Sequence, residues 1–323
     1  MRKNINEEVI EGRLYDHNLQ MKTVTNKNSK NFGVEYITGS LNIATDEEGL
    51  NVIPVHYTFV KELTGSGAVS NTFVNLKQIL ETGKTWLKDG KDMAMMVRLN
   101  TAAALNDYFP NGGDQLVSQQ RNEGGFVSFV STLNPDPIAR NKFKFDVIIN
   151  GVTLVEADPE HNINEDFVRI NAAIFDFKNA LLPFTLVAKD SKASGSVNYF
   201  LGLGASQSNP IYTQVRGEIV NTTIKIEKKM ENAFGEAVVD SSFRHEREWV
   251  ITWAQPQPYV FDDPQTITKA ELEQVIADRN TYLEDQKASA KKYYEERQRA
   301  SATPASSAIP VPSNVVPEGG FNF

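Results

Sequence analysis

Apolar and polar residues alternate singly over much of this chain. From Val34 to Ala44, Ile37, Leu41 and Ile43 fall on one side and Tyr36, Thr38, Ser40 and Asn42 on the other, the period of a strand with one buried face. An acidic turn from Thr45 to Gly49 leads into Asn51 to Val60, where Ile53, Val55, Tyr57 and Phe59 face one way. Together they predict a β-hairpin. The period then changes: Phe73, Leu76, Ile79 and Leu80 form one helical stripe, with Asn71 or Thr72 as cap and Gly83 as the end. Met93 to Ala103 returns to strand, with Met95, Val97 and Leu99 inward and Arg98 and Asn100 outward, and Gly125 to Ser131 is a further short strand.

With Val9 to Val24 in front, the order is strand, hairpin, helix, strand, strand. That is the order of a five-stranded Greek-key barrel of the OB type, in which a helix plugs the barrel between its third and fourth strands. Glycine sits mid-strand in Ile10-Glu11-Gly12-Arg13-Leu14, and the spacing recurs at Ile37-Gly39-Leu41 and Val215-Gly217-Ile219. Such glycines predict coiled strands or bulges.

Asn134-Pro135-Asp136-Pro137 cannot continue a strand and marks a boundary. Beyond it, Phe143 to Val155, Phe167 to Lys178, Leu181 to Lys189, Val197 to Leu203, Thr213 to Lys225 and Phe243 to Trp253 all read as strands, rich in β-branched and aromatic residues. A capping box, Thr268-Lys269-Ala270-Glu271, precedes the stripe Leu272, Val275, Ile276 and Leu283 of a long helix. Pro304, Pro310, Pro312 and Pro317 then keep the terminus extended up to Glu318-Gly319-Gly320-Phe321-Asn322-Phe323. The expected architecture is mainly β, with OB-like Greek-key barrels, a C-terminal helix and a flexible tail. Its expected domains are residues 1–133 as an OB-like barrel, 134–262 as a second β-rich, OB-like domain, 263–301 as a helical extension and 302–323 as a partner-binding tail.

Composition narrows the chemistry. The chain of 323 residues has no cysteine, so disulfides and thiolate metal sites are out and a reducing cytoplasm is expected. No apolar run is long enough to cross a bilayer as a helix. A net charge of -8 argues against duplex binding by bulk charge while leaving room for a local cationic groove. His17, His56, His161 and His245 are scattered without metal-ligand spacing. Gly83-Lys84-Thr85 matches the end of a phosphate-binding loop, but Gln78 stands where its first glycine belongs. Without a nucleophile elbow or a carboxylate cluster, neither catalysis nor a cofactor nor a metal is expected.

Alternation places Arg13, Tyr15 and His17 on the outer face of the first strand, beside Tyr36, His56 and Arg98 on the next three. In the second unit Phe167, Arg169, Asn171, Phe175 and Phe177 share a face, which Arg216, Arg244, Arg247 and Trp249 extend. Aromatic rings interleaved with cations suit single-stranded nucleic acid, since rings stack on unpaired bases and cations follow the phosphates.

The plan of OB-like barrels, helical extension and Pro/Ser-rich tail with an aromatic tip resembles the single-stranded DNA-binding proteins of replication and recombination, particularly bacteriophage versions. That resemblance implies sequence-independent binding of single-stranded DNA in the host cytoplasm, no enzymatic activity, a plan compatible with a homo-oligomer, and a tail that recruits replication or recombination proteins. Glu318, Phe321 and Phe323 are the residues matching such a tip, although the family's tips usually carry several acidic residues. The other reading is a β-rich structural or assembly protein of a phage particle with no nucleic-acid role.

Overall fold

A computed structural model describes residues 3–161, 163–230, 238–263 and 266–302. Glu318, Phe321, Phe323 and the spacer before them lie outside the described residues. Among the described residues, eleven strands join in one sheet whose neighbours close two circuits. In the first, β1 (Asn6–His17), β3 (Glu35–Ala44) and β4 (Val52–Lys61) run as an antiparallel meander, and β5 (Met96–Tyr108) and β6 (Val117–Phe129) complete the ring. β5 returns to β1 antiparallel, and β6 meets β4 in parallel. α1 (Asn71–Thr82) and the short α2 (Trp86–Asp89) lie between the third and fourth strands of this circuit. Short β2 (Gln20–Thr23) only extends β3. This is the OB connectivity expected from the element order.

The second circuit repeats it. β7 (Asn141–Val155), β8 (Phe167–Phe175) and β9 (Leu181–Lys189) form the meander, β10 (Ile211–Met230) returns to β7, and β11 (Val238–Ala254) meets β9 in parallel. The segment read as a strand from Val197 to Leu203 is a helix, α3 (Ser196–Gly202), in the place α1 holds in the first barrel. Its Val197 and Phe200 are buried. Closing the barrel end needs that i, i+3 pair on one helical face, which outweighs the local β preference.

The first strand of each barrel splices the two together. One edge of β1 pairs with β7 over Asn6 to Ile10 and then with β3 from Arg13 onward, while its other edge carries β5. Gly12 stands at the change of partner, where a Cβ would lie 2.0 Å from the Ala44 carbonyl oxygen. Strand β7 likewise gives one edge to β1 and then β8, and the other to β10. Ile10, Leu41, Val55, Leu76 and Val97 of the first barrel and Phe145, Val168, Phe184, Val215 and Ile251 of the second belong to one continuous apolar cluster.

Some boundaries shifted. The expected first strand breaks after His17. α1 is capped by Ser70, whose hydroxyl accepts from the Phe73 N–H at 3.3 Å. β6 begins eight residues earlier than its apolar signal, because Gln119 to Glu123 offers no apolar alternation. α4 (Lys269–Ala302) starts from the expected capping box, with Thr268 and Glu271 exchanging hydrogen bonds. Among the described residues, those from 3 to 107 and from 118 to 281 form one compact unit and those from 108 to 117 and from 282 to 302 another. Within the smaller unit, Lys287 Nζ pairs with Asp114 at 2.9 Å.

Candidate nucleic-acid interface

The outer face of the β3–β4 hairpin is shaped by a bulge. Ile37 pairs with Val60 but Gly39 with Tyr57, so Thr38 alone faces both Thr58 and Phe59. Gly39 takes φ +133°, and a Cβ there would fall 2.7 Å from the Asn18 carbonyl oxygen. An extra residue inverts the in/out alternation beyond it. Tyr57 therefore stays in the core at 2% exposure, whereas Phe59, expected inside with it, turns outward at 39%. Its ring packs 4.4 Å from that of Tyr36, which keeps its expected outer place.

Next to this aromatic pair lie polar groups from both barrels. Thr58 donates to Glu123 Oε1 at 2.6 Å, and Arg121 grips Glu123 Oε2 through Nε and Nη2 at 3.2 and 2.9 Å. The His56 imidazole is half-buried, and burial, with Arg121 and Arg247 nearby, holds its pKa below the ordinary value against the opposing pull of Glu123. At neutral pH it therefore offers a ring and a hydrogen bond rather than a charge. Arg247 stands over the Trp249 ring at 5.4 Å and makes no ion pair among the described residues.

Trp249, expected on the outer face, is instead a core residue at 2% exposure. Its indole N–H donates to Glu8 Oε1 at 2.8 Å, and Thr101 donates to Glu8 Oε2 at 2.9 Å. Burial lifts the Glu8 carboxyl to about 7, and these two bonds and Arg247 pull the other way. This carboxyl of β1 thus fastens the second barrel's tryptophan to the first barrel.

The other candidates scatter. Arg13 is half-buried, donating from Nη1 to the Lys91 carbonyl at 3.0 Å. Tyr15 packs 5.9 Å from Trp86, over which Lys91 Nζ lies at 5.4 Å. That corner's cations are already matched: Glu47 takes Lys91 and Arg140, each at 2.9 Å. His17 is half-buried, its Nδ1 without a hydrogen-bond partner among the described residues, and burial lowers its pKa. Arg98 is exposed, 3.7 Å from Glu11.

In the second barrel Arg169 is exposed and Phe177 is 83% exposed, with Lys178 Nζ 5.3 Å from its ring. Arg216 is exposed with its guanidinium 4.5 Å over Trp253. Two further candidates are corrected, after Trp249. Phe167 is buried at 8% with Lys189 laid over its ring at 5.5 Å. Phe175 is fully buried in a second apolar cluster with Ile148, Leu181, Tyr212, Ile267 and Leu272. The chain after β11 folds back over that part of the barrel's outer face, so Phe175 occupies the strand side that alternation requires but meets protein there instead of solvent.

The sequence reading passed over Phe59, Arg121 and Trp253. Nothing local marks the bulge that exposes Phe59, apart from the glycine opposite it. Arg121 lies in the polar run that hid β6. Trp253 carries the pattern signal, being paired with Arg216 across β10 and β11.

A family model described as YorF matches residues 6–289. The chain belongs to the YorF family. No curated protein matches it. Among solved structures, this YorF protein is similar to the wild-type single-stranded DNA binding protein from Thermus aquaticus, with 10% identity, 82% of this chain and 98% of that chain covered, and a TM-score of 0.46. A deletion mutant of the same Thermus aquaticus protein gives 11% identity, 82% and 100% coverage and a TM-score of 0.45.

Proposed function

We propose that this YorF protein binds single-stranded DNA without regard to sequence, as a non-enzymatic protein of replication or recombination. The observation that carries this reading is the Tyr36–Phe59 ring pair on an open OB strand face, with Arg121 and Arg247 close by. Exposed rings offer stacking to any unpaired base, at about 1–3 kcal/mol per base, and arginines follow the backbone. OB barrels present their second and third strands to oligonucleotides, and β3 and β4 are those strands here. Arg169, Phe177 and Arg216 extend the track over the second barrel, and Arg13, Tyr15, His17 and Arg98 lie at its margins. Residues 1–133 and 134–262 are then the two binding domains, 263–301 the extension, and 302–323 the tail through which Glu318, Phe321 and Phe323 recruit a partner.

The test is a titration of intrinsic tryptophan fluorescence with oligo-dT and with duplex. Saturable binding of the single strand, weak binding of duplex and a log-log salt slope of about -0.7 per phosphate neutralised are expected. Equal affinity for both forms, or for neither, returns the chain to an assembly role. Truncation before Thr303 should leave the oligo-dT affinity intact.

A further inference from the structure

A cavity of about 260 Å³ opens between α3 and the end of β11. Its floor is apolar, built from Phe200 and Ile251, each 1% exposed. The Ala193-to-Ser196 turn forms one side, and Trp253, 40% exposed, forms the other. Tyr199 also lines it, with its hydroxyl already donating to the Gln255 carbonyl at 3.1 Å. Arg216 lies over the Trp253 indole at 4.5 Å, its only side-chain hydrogen bond among the described residues being a long one to Gln214 at 3.4 Å, and no carboxylate pairs with it there.

We propose that this cavity captures one unpaired nucleobase of a bound strand, stacked against Trp253, with Arg216 neutralising the adjoining phosphate. An indole wall over an apolar floor favours a flat, weakly polar ring. The exposed guanidinium over that indole, with no carboxylate partner among the described residues, complements an anion joined to the ring, which a nucleotide supplies and an apolar side chain from a protein does not. The cavity is lined by α3, the turn before it and the end of β11, all of the second barrel, and shares no residue with the Tyr36–Phe59 pair of the first, so it is a separate anchor for the strand. The proposal rests on the single-strand reading for its natural ligand, though not for its chemistry.

The experiment photocrosslinks 5-iodouracil-substituted oligo-dT to the full chain, maps the peptide, and measures affinity for wild type, Trp253→Leu, Arg216→Ala and Ala193→Phe. The last variant fills the cavity and deletes no contact. Crosslinking at Trp253 is expected, with affinity lowered about 5- to 150-fold in Trp253→Leu and Ala193→Phe and less in Arg216→Ala. If wild type and all three variants bind oligo-dT equally and Trp253 does not crosslink, the cavity proposal is overturned while the single-strand reading stands. If wild type does not bind oligo-dT at all, that reading falls, and thymidine monophosphate alone decides the cavity. Fluorescence quenching by the mononucleotide that Ala193→Phe abolishes sustains it, and no quenching in wild type removes it.

Discussion

The two barrels share one connectivity and treat the outside of their strands differently. In the first, the outer face of β3 and β4 carries Tyr36, Thr38, Asn42 and His56, all half-buried, and the exposed Phe59. In the second, the corresponding face around Phe175 and Leu181 lies beneath Ile267, Leu272 and the partly buried Tyr259 and Phe261. One fold thus yields an open, ring-bearing surface and a surface used to anchor the chain's own C-terminal helix. An outer aromatic residue signals a ligand platform only when no later segment of the chain carries an apolar stripe to cover it.

Substituting the same kind of residue on the two faces should break this equivalence most visibly. Phe175→Ala should cost about 3–5 kcal/mol of stability, the range for a buried aromatic, read by chemical denaturation. If it unfolds at the wild-type midpoint, the second face is open after all.

Glu8 tests the joint between the faces. Its carboxyl is raised from 4.5 to about 7, so the folded protein holds this proton more tightly than the unfolded chain does. The stabilisation is complete below about 4.5 and is lost as pH rises through about 7, a fall of roughly 3 kcal/mol. Glu8→Gln, which cannot ionise, should flatten that part of the stability–pH curve. An unchanged slope would mean that Arg247 keeps the carboxylate charged.

Tyr36→Ala should act the other way round from Phe175→Ala. It should weaken oligo-dT binding by about 1–3 kcal/mol while changing stability by about 1 kcal/mol or less, as seen by paired titration and melting. The smallest effect is expected from Thr268→Ala, which removes the cap of the covering helix at about 1 kcal/mol. It should lower stability without altering affinity.

How far the sequence spoke follows the same division. Ile37, Leu41, Ile43, Ile53 and Val55 are all fully buried as their alternation required, because a regular strand with one solvated face imposes a strict period of two. The first barrel's connectivity followed from element order for that reason. The rule broke at Phe59, where one inserted residue reverses the period, and at Phe175, whose cover comes from residues about ninety positions later (Ile267 and Leu272). It failed differently at Val197 to Leu203, a seven-residue segment too short for its period to separate helix from strand. The candidate site suffered most, since Arg121 and Arg247 reach His56 only through the packing of three strands distant in sequence.

The strand exchange around Gly12 bears on how the molecule comes apart. Because β1 hydrogen-bonds to β3, β5 and β7 at once, and the apolar cluster passes uninterrupted from one barrel into the other, neither barrel can melt and leave its neighbour's first strand fully paired. The two should lose structure in a single cooperative step, with calorimetric and van't Hoff enthalpies in agreement, so that a protein with two barrels behaves thermally as one.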